Sequence, residues 1–93
     1  MKIPNSVKIG AHIFEVQMVE VVNKEMPRRG EIDHQQNTIR LDKTMAQSKI
    51  EEGLFHEILH ELDVEIDIGL GEQGVGRLSY ALYGVLVDND LLK

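Results

Sequence analysis

The sequence predicts an α+β fold, in which a small antiparallel N-terminal sheet packs on two helices from the second half of the chain. Three observations support this prediction. Residues 7–22 are rich in β-branched residues, two short extended segments flank a polar connection within residues 31–41, and apolar residues recur at helical spacing after residue 48. A chain of 93 residues is expected to form one domain, spanning 1–93, with room for one site.

The first half is expected to contain three or four antiparallel strands. Residues 7–22 are interrupted at Gly10, which predicts a short strand, a tight turn and a longer strand. Residues 23–30 contain Pro27 and are expected to form a loop. Two further strands, 31–34 and 38–41, are separated by a short polar connection that suits a hairpin.

A first helix is predicted to start between residues 44 and 48, because Thr44 with Gln47 and Ser48 with Glu51 form two overlapping capping boxes. It is expected to continue to about Asp63. Six of its residues share an apolar face that should pack on the sheet: Ile50, Leu54, Phe55, Ile58, Leu59 and Leu62. The opposite side, expected to face water, carries Lys49, Glu52, His56, His60 and Asp63.

A second helix is predicted over residues 72–89, after a glycine-rich segment that interrupts regular structure. Its expected core stripe recurs at helical spacing and consists of Val75, Leu78, Leu82, Val85 and Leu86. Tyr80 and Tyr83 are expected nearer the edges of this stripe. The two helices complete the predicted α+β arrangement.

Composition and charge narrow the functions that the chain could have. The sequence lacks cysteine, so a metal would have to be held by His, Asp or Glu. A net charge of −6 disfavours nucleic acid as a partner. No apolar stretch approaches the roughly 20 residues that cross a bilayer, and the N-terminus lacks the apolar core of a secretory signal. A cytoplasmic protein without a membrane partner is therefore expected.

The residues HEILH at positions 56–60 form an HExxH motif within the first predicted helix. Residues four apart lie one turn apart on the same helix face, so His56 and His60 can bind a single Zn²⁺ ion. Glu57 lies beside them, where it can accept a proton from an activated water and deliver it to a leaving amine. The motif indicates a zinc-dependent hydrolase. The alternative is that both histidines are ordinary solvated residues of a polar helix face.

A third metal ligand is less clearly marked than the two histidines. The extended motif of metzincins would need glycine at position 63 and histidine at 66, and this chain has Asp63 and Ile66 instead. A carboxylate after the first helix, as in gluzincins, is favoured, and Glu72 is the predicted ligand. Glu72 could also act simply as an acidic residue in the first turn of a helix. The other candidates are Asp63, Glu65 and Asp67.

Several other side chains have a possible but less expected part in the site. His12 and His34 lie in predicted strand or hairpin segments, remote in sequence from the motif. Tyr80 and Tyr83 could donate hydrogen bonds to a transition state, with Tyr83 preferred because it lies on the Glu72 side of its helix. Gly53, in the middle of the first helix, either leaves room above the metal or is a tolerated glycine.

These features resemble the minimal zincin-like metallopeptidases of the ImmA/IrrE type and the small phage or prophage proteins akin to them. The similarity is carried by the β-rich first half, by LFHEILHEL at 54–62 and by LYGVLVDND at 82–90. It implies a zincin-like α+β fold, a zinc cofactor, peptide-bond hydrolysis and a cytoplasmic location in a bacterium or a phage-infected cell. By the same resemblance His56 and His60 bind the metal, Glu57 is catalytic and Glu72 is the third ligand.

The predicted function is therefore that of a zinc metallopeptidase acting on a peptide or protein. An exposed sheet edge, expected to be strand 38–41, would align an extended substrate by strand addition. Regulation, if there is any, would need a separate protein partner. The alternative function is a non-catalytic interaction or regulatory protein that keeps the scaffold with a structural metal or none. A structural site closes with a fourth protein ligand, whereas a catalytic site keeps one position open.

Overall fold

The computed structural model describes residues 1–20 and 30–92 of the chain. These residues form, in order, strands β1 (Ser6–Ile9), β2 (His12–Val19), β3 (Gly30–Asp33) and β4 (Thr38–Asp42) and helices α1 (Gln47–Ile66) and α2 (Gly71–Asp88). The α+β class, the two hairpins and the two helices are thus confirmed. Most of the predicted loop at 23–30 lies outside the described residues, and Gly30 is the first residue of β3. Within the described part, neither helix is long and apolar enough to span a membrane.

The four strands form a mixed sheet, so the prediction of an antiparallel sheet is wrong in one respect. The strand order is β1-β2-β4-β3, and β2 runs parallel to β4 while the other two pairs are antiparallel. β4 carries Ile39 and Leu41, both fully buried, whereas β3 has no fully buried side chain. The more apolar strand of the second hairpin therefore lies inside the sheet.

This order also corrects the expected position of the sheet edge. The strand predicted as the edge, residues 38–41, falls in β4, which is paired on both sides. Among the described strands, β1 and β3 are the outer ones, and β3 pairs with β4 from Gly30↔Leu41 to Asp33↔Thr38. α1 packs against β3. The edge next to the helix that carries the motif is therefore β3.

The hydrophobic core lies between one face of the sheet and α1. Its buried members are Ile9, Phe14, Val16, Ile39, Leu41, Ile50 and Leu54. α2 packs on α1 on the side away from this core, which makes α1 a middle layer. A helix covered on two sides cannot have one buried face and one solvated face. Accordingly Glu51, Glu57 and Glu61 of α1 are all buried.

The first helix starts inside the predicted interval but without the predicted capping boxes. Ala46 is the N-cap residue, and its side chain makes no capping hydrogen bond. The Thr44 hydroxyl donates to Asp42 Oδ1 at 2.6 Å instead. Glu51 accepts hydrogen bonds from Gln47 and Tyr83, which is why it does not reach back to the helix start. The helix ends at Ile66, beyond the predicted end at Asp63.

The buried stripe of α2 is rotated from the predicted one. Val75 is fully buried as predicted, but Leu78 and Val85 are 43% and 53% exposed. Ser79 is buried in their place, at 1% exposure. The buried side follows the surface of α1 that α2 covers, and that surface includes the histidines of the motif. The stripe predicted from hydrophobicity alone was therefore wrong at two of its positions.

Candidate metal centre

The structure brings His56, His60 and Glu72 together between α1 and the first turn of α2. The Nε2 atoms of the two histidines lie 3.1 Å apart. Glu72 Oε1 is 3.1 Å from His56 Nε2, and Glu72 Oε2 is 2.7 Å from His60 Nε2. These three residues form the group in the described part of the chain whose donor atoms lie close enough together to hold one metal ion. All three predicted ligands are thus in one cluster.

The donor set and its spacing fit a zinc ion. Tetrahedral zinc with bonds of about 2.0–2.1 Å keeps its ligand atoms roughly 3.3 Å apart. The observed separations of 2.7 to 3.1 Å are slightly shorter, so a small outward shift would accommodate the ion. Two imidazole nitrogens and one carboxylate oxygen form a ligand set typical of catalytic zinc. The Glu72 side chain is 75% exposed, which leaves the cluster accessible from solvent.

Glu72 reaches the histidines because Asp63 fixes the start of α2. Asp63 Oδ1 accepts a hydrogen bond from the backbone N–H of Leu70 at 2.8 Å, and Oδ2 accepts one from Gly71 at 3.1 Å. The bond from Leu70 is the main reason that the pKa of Asp63 lies below its usual value. A negative charge at a helix N-terminus is also stabilised by the helix dipole. Asp63, weighed as a possible ligand, therefore caps the start of α2 and positions Glu72.

Ser79 supports His56 from α2 and was missed at the sequence level. Its hydroxyl donates to the carbonyl of Gly76 at 3.1 Å and lies 3.3 Å from His56 Nδ1. Since the hydroxyl proton is used on Gly76, the serine oxygen can accept from His56 Nδ1–H. Such a bond would favour the tautomer in which the Nε2 lone pair is available to a metal. A serine in the apolar stripe of α2, four residues after Val75, was the available signal.

Replacing Ser79 by alanine is expected to weaken zinc binding by about 10-fold or more, because second-shell bonds to ligating histidines contribute 10- to 100-fold in metal affinity. The small, buried hydroxyl leaves little space behind, so the fold should persist. Zinc affinity is measured by competition with a chromophoric chelator. Tyr80→Phe, at a side chain 73% exposed on the same helix, is the matched control and should bind zinc as the wild type does. Unchanged affinity in Ser79→Ala would contradict this role.

Glu57 lies in the interior beside the cluster rather than on an open helix face. It is 6% exposed, and its Oε2 would lie 3.4 Å from a Cβ atom placed on Gly30. A side chain at position 30 would also meet Leu41 at 3.0 Å, so glycine permits β3 to approach α1 here. The carboxylate is thus confined between the motif helix and the edge strand. The prediction placed Glu57 beside the two histidines, and in the structure it borders the same cleft as they do while being buried.

A cleft of about 650 Å³ opens in front of the cluster. It is bordered by α1, by β3 with the residue that follows it, and by the start of α2. The lining residues are Gly30, Glu31, Ile32, His34, Gly53, His56, Glu57, His60 and Glu72. The proposed ligands, the proposed base and the sheet edge therefore share one cavity. His34, which was not expected near the site, is part of its wall.

The water-facing position predicted for the two histidines is wrong. α2 covers this side of α1, and an added Cβ at Gly76 would lie 3.9 Å from the His56 ring. The side chains of His56 and His60 are only 20% and 22% exposed. Partial burial of this kind lowers the local dielectric and strengthens electrostatic interactions at the centre.

Neither tyrosine considered as a transition-state donor borders the cleft. Tyr83 donates to Glu51 Oε1 at 2.7 Å. Burial, assisted by this bond to Glu51, raises the pKa of Tyr83 to about 12. Tyr80 is exposed on the outside of α2. The preference for Tyr83 as a donor to substrate therefore has no geometric support.

The other residues that the sequence analysis considered for the site lie outside the three-donor cluster. Glu65 belongs to the last turn of α1 and lies 3.9 Å from His12. Asp67 is the left-handed C-cap residue of that helix, with φ of 51°. Gly53 borders the cleft, but a Cβ added to it would contact Leu41 at 3.7 Å, on the side of the sheet. None of these residues belongs to the cluster of three donors.

The chain was compared with protein families, curated proteins and solved structures, and no match was found. The site itself combines three convergent donor atoms, a buried carboxylate beside them and a cleft that contains both.

Proposed function

We propose that the chain is a zinc-dependent metallopeptidase with a zincin-like centre, in which His56, His60 and Glu72 hold the metal. The convergence of two imidazole Nε2 atoms and a carboxylate within about 3 Å of one another is the observation that carries the proposal. Three protein ligands would leave one coordination position open for water and substrate, as catalytic zinc sites do.

The protein's own groups then account for the proton transfers of hydrolysis. Bound zinc supplies Lewis acidity, which lowers the pKa of water to about 7 and polarises a carbonyl. Glu57 takes the proton that the attacking water loses and gives it to the leaving amine as the C–N bond breaks. Its burial between α1 and β3 keeps the carboxylate at one position beside the cluster. Ser79 holds His56 in the ligating tautomer.

The outer strand β3 provides a place for an extended peptide. Gly30, Glu31 and Ile32 border the same cleft as the metal cluster. A peptide added to this edge would form main-chain hydrogen bonds and pass in front of the centre. A cleft of only about 650 Å³ suits a limited set of peptides better than the hydrolysis of proteins in general. A peptide or protein is therefore the proposed substrate class.

Metal analysis of the purified protein tests the proposal directly. Protein prepared with zinc present and then dialysed is expected to hold about one zinc per chain, as measured by plasma mass spectrometry. His56→Ala should lose most of it, because a single histidine and a carboxylate give a much weaker site. His12→Ala, which changes a histidine outside the cluster, is the control and should retain the metal. Wild-type protein without zinc under these conditions would refute the proposal.

Hydrolysis is tested on the zinc-loaded protein with a library of internally quenched peptides. Cleavage that zinc restores after chelation supports the peptidase. A full complement of zinc with no cleavage of any peptide would indicate the non-catalytic alternative, in which the metal has a structural role. Melting temperatures with and without chelator show in either case whether the metal binds the folded protein, because any such metal raises stability by mass action.

A further inference from the structure

One buried carboxylate of α1 has no part in the chemistry proposed above. The Glu61 side chain is 7% exposed, and its Oε1 lies 2.6 Å from Nδ1 of His34. Burying an ionised carboxylate is costly unless it is paired and hydrogen-bonded. His34 is the residue that follows β3, so the pair joins the second hairpin to the motif helix. The short contact fixes the orientation of the His34 ring.

The ring of His34 forms part of the wall of the cleft in front of the metal cluster. His34 borders the same cavity as His56, Glu57 and His60, and it also borders a neighbouring cavity over the second hairpin. Its side chain remains 40% exposed, so a bound molecule can reach it. Since Nδ1 faces Glu61, the second ring nitrogen, Nε2, is the one available to such a molecule. In the protonated ring, Nε2–H is a hydrogen-bond donor.

We propose that His34 is a second catalytic residue of this cleft, donating a hydrogen bond from Nε2 to the substrate oxygen that becomes negative during hydrolysis. Glu61 is its positioning residue. This inference rests on the proposed metallopeptidase function, because the oxygen concerned belongs to the scissile carbonyl. No covalent bond to His34 forms or breaks. A fixed donor aimed at developing charge stabilises the transition state more than the ground state.

The same contact could serve only to fasten the hairpin to α1. In that case the loss of His34 would lower stability and would affect every ligand of the cleft to a similar degree. A catalytic role predicts a selective loss, confined to ligands that carry a negative oxygen beside the metal. The test therefore compares two ligands that share a dipeptide and differ in the group that binds the metal.

The two probes share the dipeptide Leu-Ala: N-phosphoryl-Leu-Ala presents a tetrahedral oxyanion, and N-mercaptoacetyl-Leu-Ala binds a metal through sulfur. Their affinities for the zinc-loaded protein are measured by titration calorimetry. His34→Ala is expected to weaken binding of the phosphoryl probe by about 10- to 100-fold and to leave binding of the thiol probe within about twofold. His34→Gln, which retains an N–H donor, should recover part of the loss. Glu61→Gln should give a smaller but equally selective loss.

A second measurement does not depend on zinc. In the metal-free protein, ¹⁵N-edited NMR should show a strongly downfield His34 Nδ1–H signal in the wild type and its loss in Glu61→Ala. Its absence from the wild type would overturn the positioning role of Glu61. Equal losses for both probes in His34→Ala, no loss for either, or a wild-type zinc protein that binds neither probe would overturn the catalytic role. Failure of the metallopeptidase proposal is recognised separately, as wild-type protein that holds no zinc.

Discussion

Glu57→Gln is expected to lower the rate of peptide hydrolysis by about 100- to 10,000-fold, the range that general acid–base groups contribute. The amide has nearly the same shape as the carboxylate, so it can occupy the same interior position between α1 and Gly30. It cannot accept a proton from water at neutral pH. The loss should therefore appear in kcat, with little change in KM. Initial rates on a quenched peptide selected with the wild type provide the measurement.

The zinc content of Glu57→Gln distinguishes a lost base from a lost ligand. Because Glu57 is not a member of the three-donor cluster, the variant should hold as much zinc as the wild type. Glu52→Gln is the matched control, since Glu52 belongs to the same helix and does not border the cleft. Wild-type rates in Glu57→Gln would exclude it as the base. A parallel loss of zinc would show that it contributes to binding the metal.

The close approach of His56 and His60 could be predicted because it depends only on local geometry. Two residues four apart in a helix lie on one face wherever that helix packs. Glu72 could not be singled out by local geometry in the same way, since several carboxylates follow the motif along the sequence. Its position depends on the turn after α1, where Asp63 accepts the bonds from Leu70 and Gly71. A capping contact between residues seven and eight apart has no periodic signal.

The sheet order could not be derived from the strands themselves. Each hairpin was recognisable from its own turn, but the pairing of β2 with β4 is a contact between hairpins. Only the more apolar character of β4 indicated that it, and not β3, would be an inner strand of the sheet. That order determines the strand that borders the cleft, so the predicted edge at 38–41 was wrong. Long-range pairing therefore decided the place of the proposed substrate site.

The buried polar residues around the metal cluster could not be predicted from the sequence for a different reason. The prediction assigned one buried face to each helix, whereas α1 lies between the sheet and α2. A middle helix buries polar groups that pair with its neighbours, and Glu61 with His34 is the clearest case. Ser79 is the exception, because a hydroxyl within an apolar stripe is visible in the sequence. Buried polar pairs of this kind depend on tertiary packing that hydrophobic periodicity does not record.

The packing beneath the cleft leads to the second prediction with a large effect. Leu41→Ala is expected to lower the free energy of unfolding by about 2–5 kcal/mol. Leu41 is fully buried, and its Cδ2 atom is the nearest neighbour of Cβ positions built on Gly30 and Gly53. Those two glycines belong to β3 and α1, the elements that border the cleft. Removing the side chain leaves a cavity where the edge strand meets the motif helix, which costs both transfer energy and contacts.

Urea denaturation in the presence of chelator measures this loss, because bound metal would otherwise add to the stability of the native state. The matched control is Ile13→Ala on β2, whose side chain is 66% exposed and whose removal should change stability by less than about 0.5 kcal/mol. A small domain has only about 5–15 kcal/mol in total, so the expected loss for Leu41→Ala is a large fraction of it. A loss of less than about 1 kcal/mol would contradict this prediction. It would mean that β3 and α1 had moved together and filled the space left by the side chain. The cleft would then be narrower, while zinc affinity should remain near that of the wild type.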